Sequence, residues 1–594
     1  MERGWIKLSK YCKNAQNRKI YHAKCLQCGK VFTNHRSMNS HLKICPKTLN
    51  KNQGLITQFL KTDDDNDEKM DLTPYQIDLI ELFASSNLSI NQINNYNFKK
   101  IFLNLGVKEK DIPNSEDFKK MIINYSNELF KKNLELFENK NVSLIFDGST
   151  SWNRNFYQFS IFYPGIVRHY GLFNIYDTSA DSIKRILINI IENLKRKNIN
   201  VFGITTDNAS NLVSCFNKIK EDVEKGETLF PLIRFACSAH TAQLIINDLK
   251  KESAEFKNFL EKLVKFWRFI KKRSIFNKYK ELGIPNSPPH FQTTRWNSLY
   301  NCISYLLENF DFFHETQESF PNIPIFFNDN LREIMKSLAI VLCPVINFTN
   351  KVQRNFVTAG DSFCFLLELE NDIDSIEIPD SFGFHDIIRR KMAERFTNTC
   401  DSTLAELCFL LTPRGRDWFI KKNEIANQTI GKIERNENVS DVENNNLEMF
   451  NIEKSLITDK IIEISNYFHM NGEDNVNVFF NWVFANDRYL VDPISYWKTK
   501  ITDKIFTSTG TLAMKELSQI ALRILSLPAS EAICERCFSQ LKLTHSHLRT
   551  NLKTDLLDAL LRIKLNLIWS QEKPFSDLET SSEDESQYSD VSSD

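Results

Sequence analysis

Three acidic residues in this chain stand where carboxylates can bind a metal ion. Asp147 ends the apolar run at 142–146, and Asp207 ends the β-favouring run at 200–206. A carboxylate at the exit of a buried strand is held at the edge of a sheet, and converging carboxylates are the ligands that two-metal phosphoryl transfer requires. The third residue, Glu535, comes more than half the chain length later. This spacing predicts a nuclease-type core that is interrupted by a large insertion.

A second group of residues has the spacing of a zinc site. Two residues separate Cys25 from Cys28, and twelve more separate Cys28 from His41, which lies one helical turn before Cys45. Two thiolates from a knuckle, an imidazole and a further thiolate provide four tetrahedral ligands for a structural Zn²⁺. A unit this small has too little core to fold alone, so metal binding would supply the missing stability.

Charge is unevenly distributed, although acidic and basic residues are equal in number. Residues 1–51 hold twelve Lys and Arg against one acid, Glu2, whereas residues 577–594 hold acids and no base. A basic end predicts a nucleic-acid partner. Scattered cysteines and a start unlike a signal peptide indicate a reducing compartment, and we expect the nucleus. We expect no membrane segment, because the most apolar run, 338–348, is too short to span a bilayer.

The pattern around the two aspartates is that of a mixed sheet. Short β-favouring runs lie at 141–147, 155–163 and 166–176, and helices then alternate with strands as far as 237. Three consecutive strands followed by such an alternation predict an α/β fold. Helical patterns fill most of the remaining chain, and the Asn- and Glu-rich stretch at 422–450 predicts a disordered loop.

Several strings resemble motifs of the hAT superfamily of DNA transposases. They are Thr-Thr-Asp207-Asn-Ala-Ser-Asn, the pair Cys237 and His240, Thr-Arg295-Trp296-Asn-Ser, Asp492-Pro493 and Glu535-Arg-Cys-Phe-Ser. Trp5 and Tyr11 also stand where a BED-type zinc finger carries its leading aromatic residues, although this finger ends with Cys45 rather than His. The resemblance covers roughly residues 1–570, and the order and spacing of the strings make it specific.

The resemblance implies a multidomain protein with an RNase H-like α/β core interrupted by a large all-α insertion, which accounts for the late position of Glu535. The implied parts are a BED-type zinc finger at 1–50, an acidic linker at 51–71, a helical DNA-binding and dimerisation domain at 72–138, the first part of the core at 139–300, the insertion at 301–485, a dimerisation region at 486–569 and a disordered acidic tail at 570–594.

The resemblance also implies roles for single residues. Asp147, Asp207 and Glu535 would bind the catalytic Mg²⁺ or Mn²⁺. Arg295 and Trp296 would handle a flipped base of the flanking DNA, since an exposed indole can stack on an extruded base. Cys237 and His240 would lie near the active site, where the histidine could contact the scissile phosphate. The implied assembly is a homodimer or a higher homo-oligomer, and the implied nucleic-acid partner is double-stranded DNA.

Simpler interpretations remain open at this point. Glu531 lies one helical turn before Glu535 and could be confused with it, although the Glu-Arg-x-Phe-Ser context favours Glu535. Trp296 could be a core aromatic residue, and Cys237 with His240 could be a buried thiol and a helix cap. The alternative function is that of a catalytically silent, domesticated transposase that acts as a dimeric zinc-finger regulator of transcription.

Overall fold

The computed structural model of the protein describes residues 70–151, 153–226, 231–284, 286–291, 296–320, 322–377, 382–435, 438–485, 492–507, 510–545 and 552–570. It also gives the backbone of three antiparallel strands, β1 (Trp5–Lys13), β2 (Lys19–Cys25) and β3 (Val31–Phe32). The described part is mostly helical, and none of its helices has the length and apolar character needed to cross a membrane.

Residues 72–138 are helical, as predicted. They contain α1 (Pro74–Ser85), α2 (Tyr96–Asn104) and α3 (Ser115–Glu135), with short 3-10 turns at Ile90–Asn94 and Glu109–Asp111. Thr73 and Gln76 form a capping box at the start of α1, and Pro74 occupies its first turn, where a missing N–H costs nothing. Leu79 and Phe83, four residues apart, are buried on one face of α1.

A mixed five-stranded sheet follows. Its strands are β4 (Asn141–Ser151), β5 (Arg154–Tyr163), β6 (Ile166–Asn174), β7 (Asn200–Thr206) and β8 (Ile233–Ala236). Their order in the sheet is β6-β5-β4-β7-β8; β5 runs antiparallel to its neighbours β4 and β6, while β4, β7 and β8 run parallel. The three predicted consecutive strands are therefore the antiparallel half, and the two later strands extend the sheet from β4.

Both faces of the sheet are covered by helices. Along β4, Leu144 and Phe146 point to one face and Ile145 to the other, which is the two-residue period of a strand. The first face packs against α4 (Ala180–Arg196) and α5 (Ser210–Glu224). The second packs against α20 (Ala532–Thr544) and α21 (Thr554–Ser570), which come from the end of the chain.

The helices between β8 and residue 485 share one large apolar core. We refer to these helices together as the insertion, although its predicted start was residue 301. They are α6 (Ser238–Glu252), α7 (Ala254–Ile270), α8 (Arg273–Glu281), α9 (Trp296–Glu308), α10 (Phe310–Thr316), α11 (Asp329–Val352), α12 (Ala359–Asp374), α13 (Phe384–Thr399), α14 (Ser402–Leu410), α15 (Pro413–Glu434), α16 (Asp441–Tyr467) and α17 (Gly472–Val483), with a 3-10 turn at Gln317–Ser319.

The predicted disordered loop at 422–450 is wrong for the residues that the structure describes there, because α15 and α16 cover 422–434 and 441–450. Polar side chains pair between the two helices: Lys432 Nζ contacts a Glu443 carboxylate oxygen at 2.5 Å. Phe450 is buried and its ring lies 5.2 Å from that of Phe419. Composition alone suggested disorder, whereas pairing between helices satisfies these polar residues.

The chain then returns to the sheet. Residues 492–570 contain α18 (Pro493–Lys500), a hairpin of β9 (Lys504–Thr507) and β10 (Gly510–Ala513), α19 (Lys515–Ile524), and the helices α20 and α21. The sequence patterns indicated helices here and did not predict the hairpin. After α19, the segment 525–531 runs across the ends of β7 and β8 before α20 begins.

Gly203 allows this close approach, because a β-carbon there would overlap Ser143 Oγ and Leu527 Cδ2. We expect Gly203→Ala to lower the stability of the core by about 1–3 kcal/mol through overpacking. The check is the melting temperature of the purified protein. Gly431→Ala is the matched control, since only the flexible end of Arg435 lies near that position, and its melting temperature should stay level or rise. An equal response of both variants would contradict the prediction.

Candidate metal centre

Asp147 and Asp207 lie at the same level of two adjacent parallel strands. The last residues paired between β4 and β7 are Ile145 and Thr205, and each aspartate follows two positions later. Parallel strands are about 4.8 Å apart, so residues that follow a paired position equally on both strands are neighbours. Asp207 stands just beyond the end of β7, and its Oδ1 accepts a 2.9 Å hydrogen bond from the amide of Ala209. The two carboxylates therefore share one edge of the sheet.

The segment 525–531 brings two glutamates to this edge. Thr205 Oγ1, on β7, donates to the carbonyl of Pro528 at 3.0 Å, and the amide of Ser238 donates to the carbonyl of Ala529 at 3.0 Å. Helix α20 starts directly afterwards, with Glu531 as its N-cap residue and Glu535 one turn further on. A few hydrogen bonds to β7 and α6 thus position residues that are distant in sequence.

Cys237 links the start of α6 to the start of α20. Its sulfur accepts hydrogen bonds from the amide of His240 at 3.3 Å and from the amide of Glu531 at 3.4 Å. Burial, with the nearby charge of Glu531, raises the pKa of the Cys237 thiol well above its usual value. A buried thiol of this kind is inert as a nucleophile. The structure therefore gives Cys237 a positioning role: it holds His240 and Glu531 next to each other.

Ligand atoms converge on Asp207. Among the residues that the structure describes, one oxygen each of Asp207 and Glu531 and a ring nitrogen of His240 lie within 4.8 Å of one another. Asp207 and His240 are partly exposed, whereas Glu531 is buried. Asp147 and Glu535 stand outside this closest group but act on it electrostatically.

The pKa values show how closely the four carboxyls interact. Burial, followed by the charges of Asp207 and Glu535, raises the pKa of Asp147 to about 7. Burial, and then the charges of Asp147, Asp207 and Glu535, raise the pKa of Glu531 well above its usual value. Carboxylates that are held close together repel one another, and this repulsion favours either protonation of a carboxylate or binding of a cation. The donor atoms available here, carboxylate oxygens and one imidazole nitrogen, are of the kinds that a divalent cation can bind.

Arg234 lies beside the centre without neutralising its carboxylates directly. Its guanidinium donates to the backbone carbonyl of Asp207 at 2.7 Å, to the side-chain oxygen of Asn208 at 2.7 Å and to Thr206 Oγ1 at 3.2 Å. These bonds fix the turn that follows β7. The carboxylate of Asp207 stays directed toward the other acids, and the role of Arg234 is to hold that turn.

Of the remaining predicted site residues, Trp296 is the one whose side chain the structure describes. Trp296 is only 6% exposed, and its ring lies 6.3 Å from that of Phe256 within the core of the insertion. An indole buried to this degree offers no free face for base stacking. Arg295 lies outside the described residues. So do Cys28, His41 and Cys45, and of Cys25 only the backbone in β2 is described, so the zinc site stays a prediction.

The sequence context favoured Glu535 over Glu531 as the third acidic residue. The structure places Glu531 in the group around Asp207. Its signal was available: it follows Pro528-Ala529-Ser530, a turn-forming string, at the start of a helix. A side chain at a helix start points wherever the preceding turn directs it. Choosing between two glutamates one turn apart therefore required the path of the turn, which depends on its hydrogen bonds to β7 and α6.

The fold therefore defines a cluster of carboxylates at the edge of a mixed sheet. Two of its acidic residues come from the sheet, and two come from a segment more than 300 residues later in the chain. Residues 483–567 match the family model described as the hAT family C-terminal dimerisation region. This match contains the segment that carries Glu531 and Glu535, so the chain is similar to hAT-family proteins over these residues. A comparison with curated proteins finds no match for the chain.

Proposed function

We propose that the protein is a DNA transposase of the hAT type, which cleaves and transfers DNA strands at transposon ends. The observation that carries the proposal is the position of Asp147 and Asp207 at one level of adjacent parallel strands, with Glu535 close enough for its charge to raise the pKa of Asp147. The sheet order β6-β5-β4-β7-β8, with its antiparallel half first, supports an RNase H-like core.

In this proposal Asp147, Asp207 and Glu535 hold Mg²⁺ or Mn²⁺. The donor set fits, because hard divalent cations take carboxylate oxygens and these carboxyls crowd one another. Bound cations would supply Lewis acidity and stabilise charge on the attacking and leaving oxygens of a phosphodiester. The protein contributes the rigidity of the centre: β4 and β7 fix the aspartates, and Arg234 with Cys237 fixes the turns beside them.

DNA binding is the second part of the proposal. Helix α7 exposes Lys262, Lys265 and Arg268, a basic face that continues into the start of α8. Such a face can neutralise phosphates without reading bases. The basic segment 1–50, with Zn²⁺ on Cys25, Cys28, His41 and Cys45, would add a BED-type finger. A nuclear protein that binds double-stranded DNA as a homodimer would use both.

The experiment is strand cleavage by the full-length, zinc-loaded chain on a DNA duplex that carries the terminal inverted repeats flanking its gene. We expect nicking at the repeat ends that requires Mn²⁺ or Mg²⁺ and stops when the cation is chelated. A duplex with scrambled ends is the control. Specific binding to the repeats without cleavage under either cation would contradict the proposal and leave the DNA-binding regulator as the function.

A further inference from the structure

Glu531 is a buried carboxylate with an unsatisfied oxygen. It is 5% exposed, and its Oε2 has no hydrogen-bond partner. Leaving a buried polar atom unpaired is unfavourable, and more so if the group is charged. A carboxylate oxygen of Asp207 also lies within 4.8 Å of a carboxylate oxygen of Glu531. A ligand bound at the centre would relieve this unfavourable arrangement.

The neighbours of Glu531 are suited to that ligand. The group formed with Asp207 and His240 has its ligand atoms within 4.8 Å of one another. A divalent transition metal bonded at about 2.0–2.2 Å holds its ligands roughly 3–4.4 Å apart. Small side-chain rotations would bring the three atoms into that range, and the partial exposure of Asp207 and His240 leaves a path for the ion.

We propose that Asp207, His240 and Glu531 form a cation site of their own, beside the one assigned to Asp147, Asp207 and Glu535, and that it prefers Mn²⁺ to Mg²⁺. The preference follows from the imidazole, since nitrogen ligands suit transition metals while Mg²⁺ favours oxygen. The site rests on the proposed function only through the shared Asp207. Its formation requires neither DNA nor cleavage.

Arg234 does not replace the cation. Its guanidinium is engaged by the carbonyl of Asp207 and the side chains of Asn208 and Thr206, and none of these bonds reaches Glu531. Cys237 is also excluded as a fourth ligand in its thiol form, because its sulfur already accepts two amide hydrogen bonds. The site is therefore one histidine and two carboxylates, with open positions toward solvent.

The test is a Mn²⁺ titration of the full-length, zinc-loaded protein without DNA, followed by the electron paramagnetic resonance signal of free Mn²⁺. We expect Glu531→Gln and His240→Gln each to weaken one class of bound Mn²⁺ at least tenfold. His240→Gln should also reduce the ratio of Mn²⁺ to Mg²⁺ affinity. Zinc loading keeps the finger occupied, and its thiolates are poor Mn²⁺ ligands.

Glu406→Gln is the matched control. Glu406 is another buried glutamate of this protein with an unpartnered oxygen, on α14 in the insertion. The same chemical change there should leave the Mn²⁺ isotherm unaltered. Glu535→Gln should retain the class of Mn²⁺ that Glu531→Gln weakens. Melting curves without cation guard against misfolding, and Glu531→Gln should melt no lower than wild type, because it removes a buried carboxyl from among like charges.

The proposal is overturned if Glu531→Gln and wild type bind Mn²⁺ within a factor of two of each other while both remain folded. That result would mean that Glu531 simply keeps a proton. A protein that fails to cleave DNA would not for that reason give equal Mn²⁺ affinities in the two proteins, because the titration contains no DNA. Conversely, loss of the Mn²⁺ class in both variants would establish the site even in a protein that does not cut DNA.

Discussion

Replacing Asp207 by alanine is expected to reduce cation-dependent strand cleavage by about 10³-fold or more. Asp207 belongs to both of the ligand sets proposed above: it is the neighbour of Asp147 across β4 and β7, and its carboxylate lies within 4.8 Å of the ligand atoms of His240 and Glu531. Removing a shared metal ligand costs several kcal/mol of transition-state stabilisation, and about 1.4 kcal/mol corresponds to tenfold in rate. The measurement is the single-turnover cleavage rate on the repeat-bearing duplex with Mn²⁺.

Two further variants separate chemistry from folding. Asp207→Asn keeps an oxygen that can accept the amide hydrogen bond of Ala209, so it should lose cleavage but keep the melting temperature. Asp181→Ala, an exposed aspartate on α4 that pairs with Lys218, should cleave at the wild-type rate. Unchanged cleavage in Asp207→Ala, with DNA binding intact, would eliminate the proposed role of this residue.

Replacing Asp558 by alanine should cause the largest loss of stability. Asp558 is buried on α21, where its Oδ1 contacts His169 Nε2 at 2.8 Å and accepts from the amide of Leu172 at 2.7 Å, and its Oδ2 accepts from Arg562 at 2.7 Å. Removing one partner of a buried pair leaves an uncompensated charge and costs about 3–5 kcal/mol. Calorimetry should show the transition of the core lowered by roughly 10 °C.

Asp555→Ala is the control for this change, because Asp555 is exposed in the first turn of the same helix and should cost less than about 1 kcal/mol. The pH dependence gives a second readout. Burial opposes ionisation of Asp558, but Arg562 and His169 hold its pKa below the usual value. Its stabilisation is therefore present above the unfolded pKa of about 3.9 and is lost as the pH falls through the lower folded value. Asp558→Ala should lack this part of the acid sensitivity.

Local sequence was sufficient for the elements that carry the aspartates. The apolar run before Asp147 and the β-favouring run before Asp207 predicted strands, and the carboxyl ends of parallel strands meet at one edge. The order of three strands before the alternation likewise predicted a mixed sheet. These features depend on neighbours within a few residues, which is why sequence patterns indicate them well.

The features that sequence patterns missed depend on distant partners. Trp296 is buried because the side chain of Phe256 and the insertion core lie against it. Within the Asn- and Glu-rich stretch at 422–450, residues 422–434 and 441–450 are helical, and α15 and α16 pair with each other there. Glu531 enters the group around Asp207 because the segment before it is hydrogen-bonded to Thr205 and Ser238. In each case the local structure or burial depends on a contact with residues that are distant in sequence, or with a helix that the composition did not suggest.

The return of the chain at residues 525–531 has a consequence for the order in which the protein is made. During synthesis the strands that carry Asp147 and Asp207 leave the ribosome first, and N-terminal parts generally fold first. Glu531 and Glu535 cannot reach them until all of the insertion has emerged, and α21, which closes the second face of the sheet, comes later still. A nascent chain therefore carries the two aspartates without the glutamates for much of its translation, and the cluster of carboxylates is completed only in the last steps of folding.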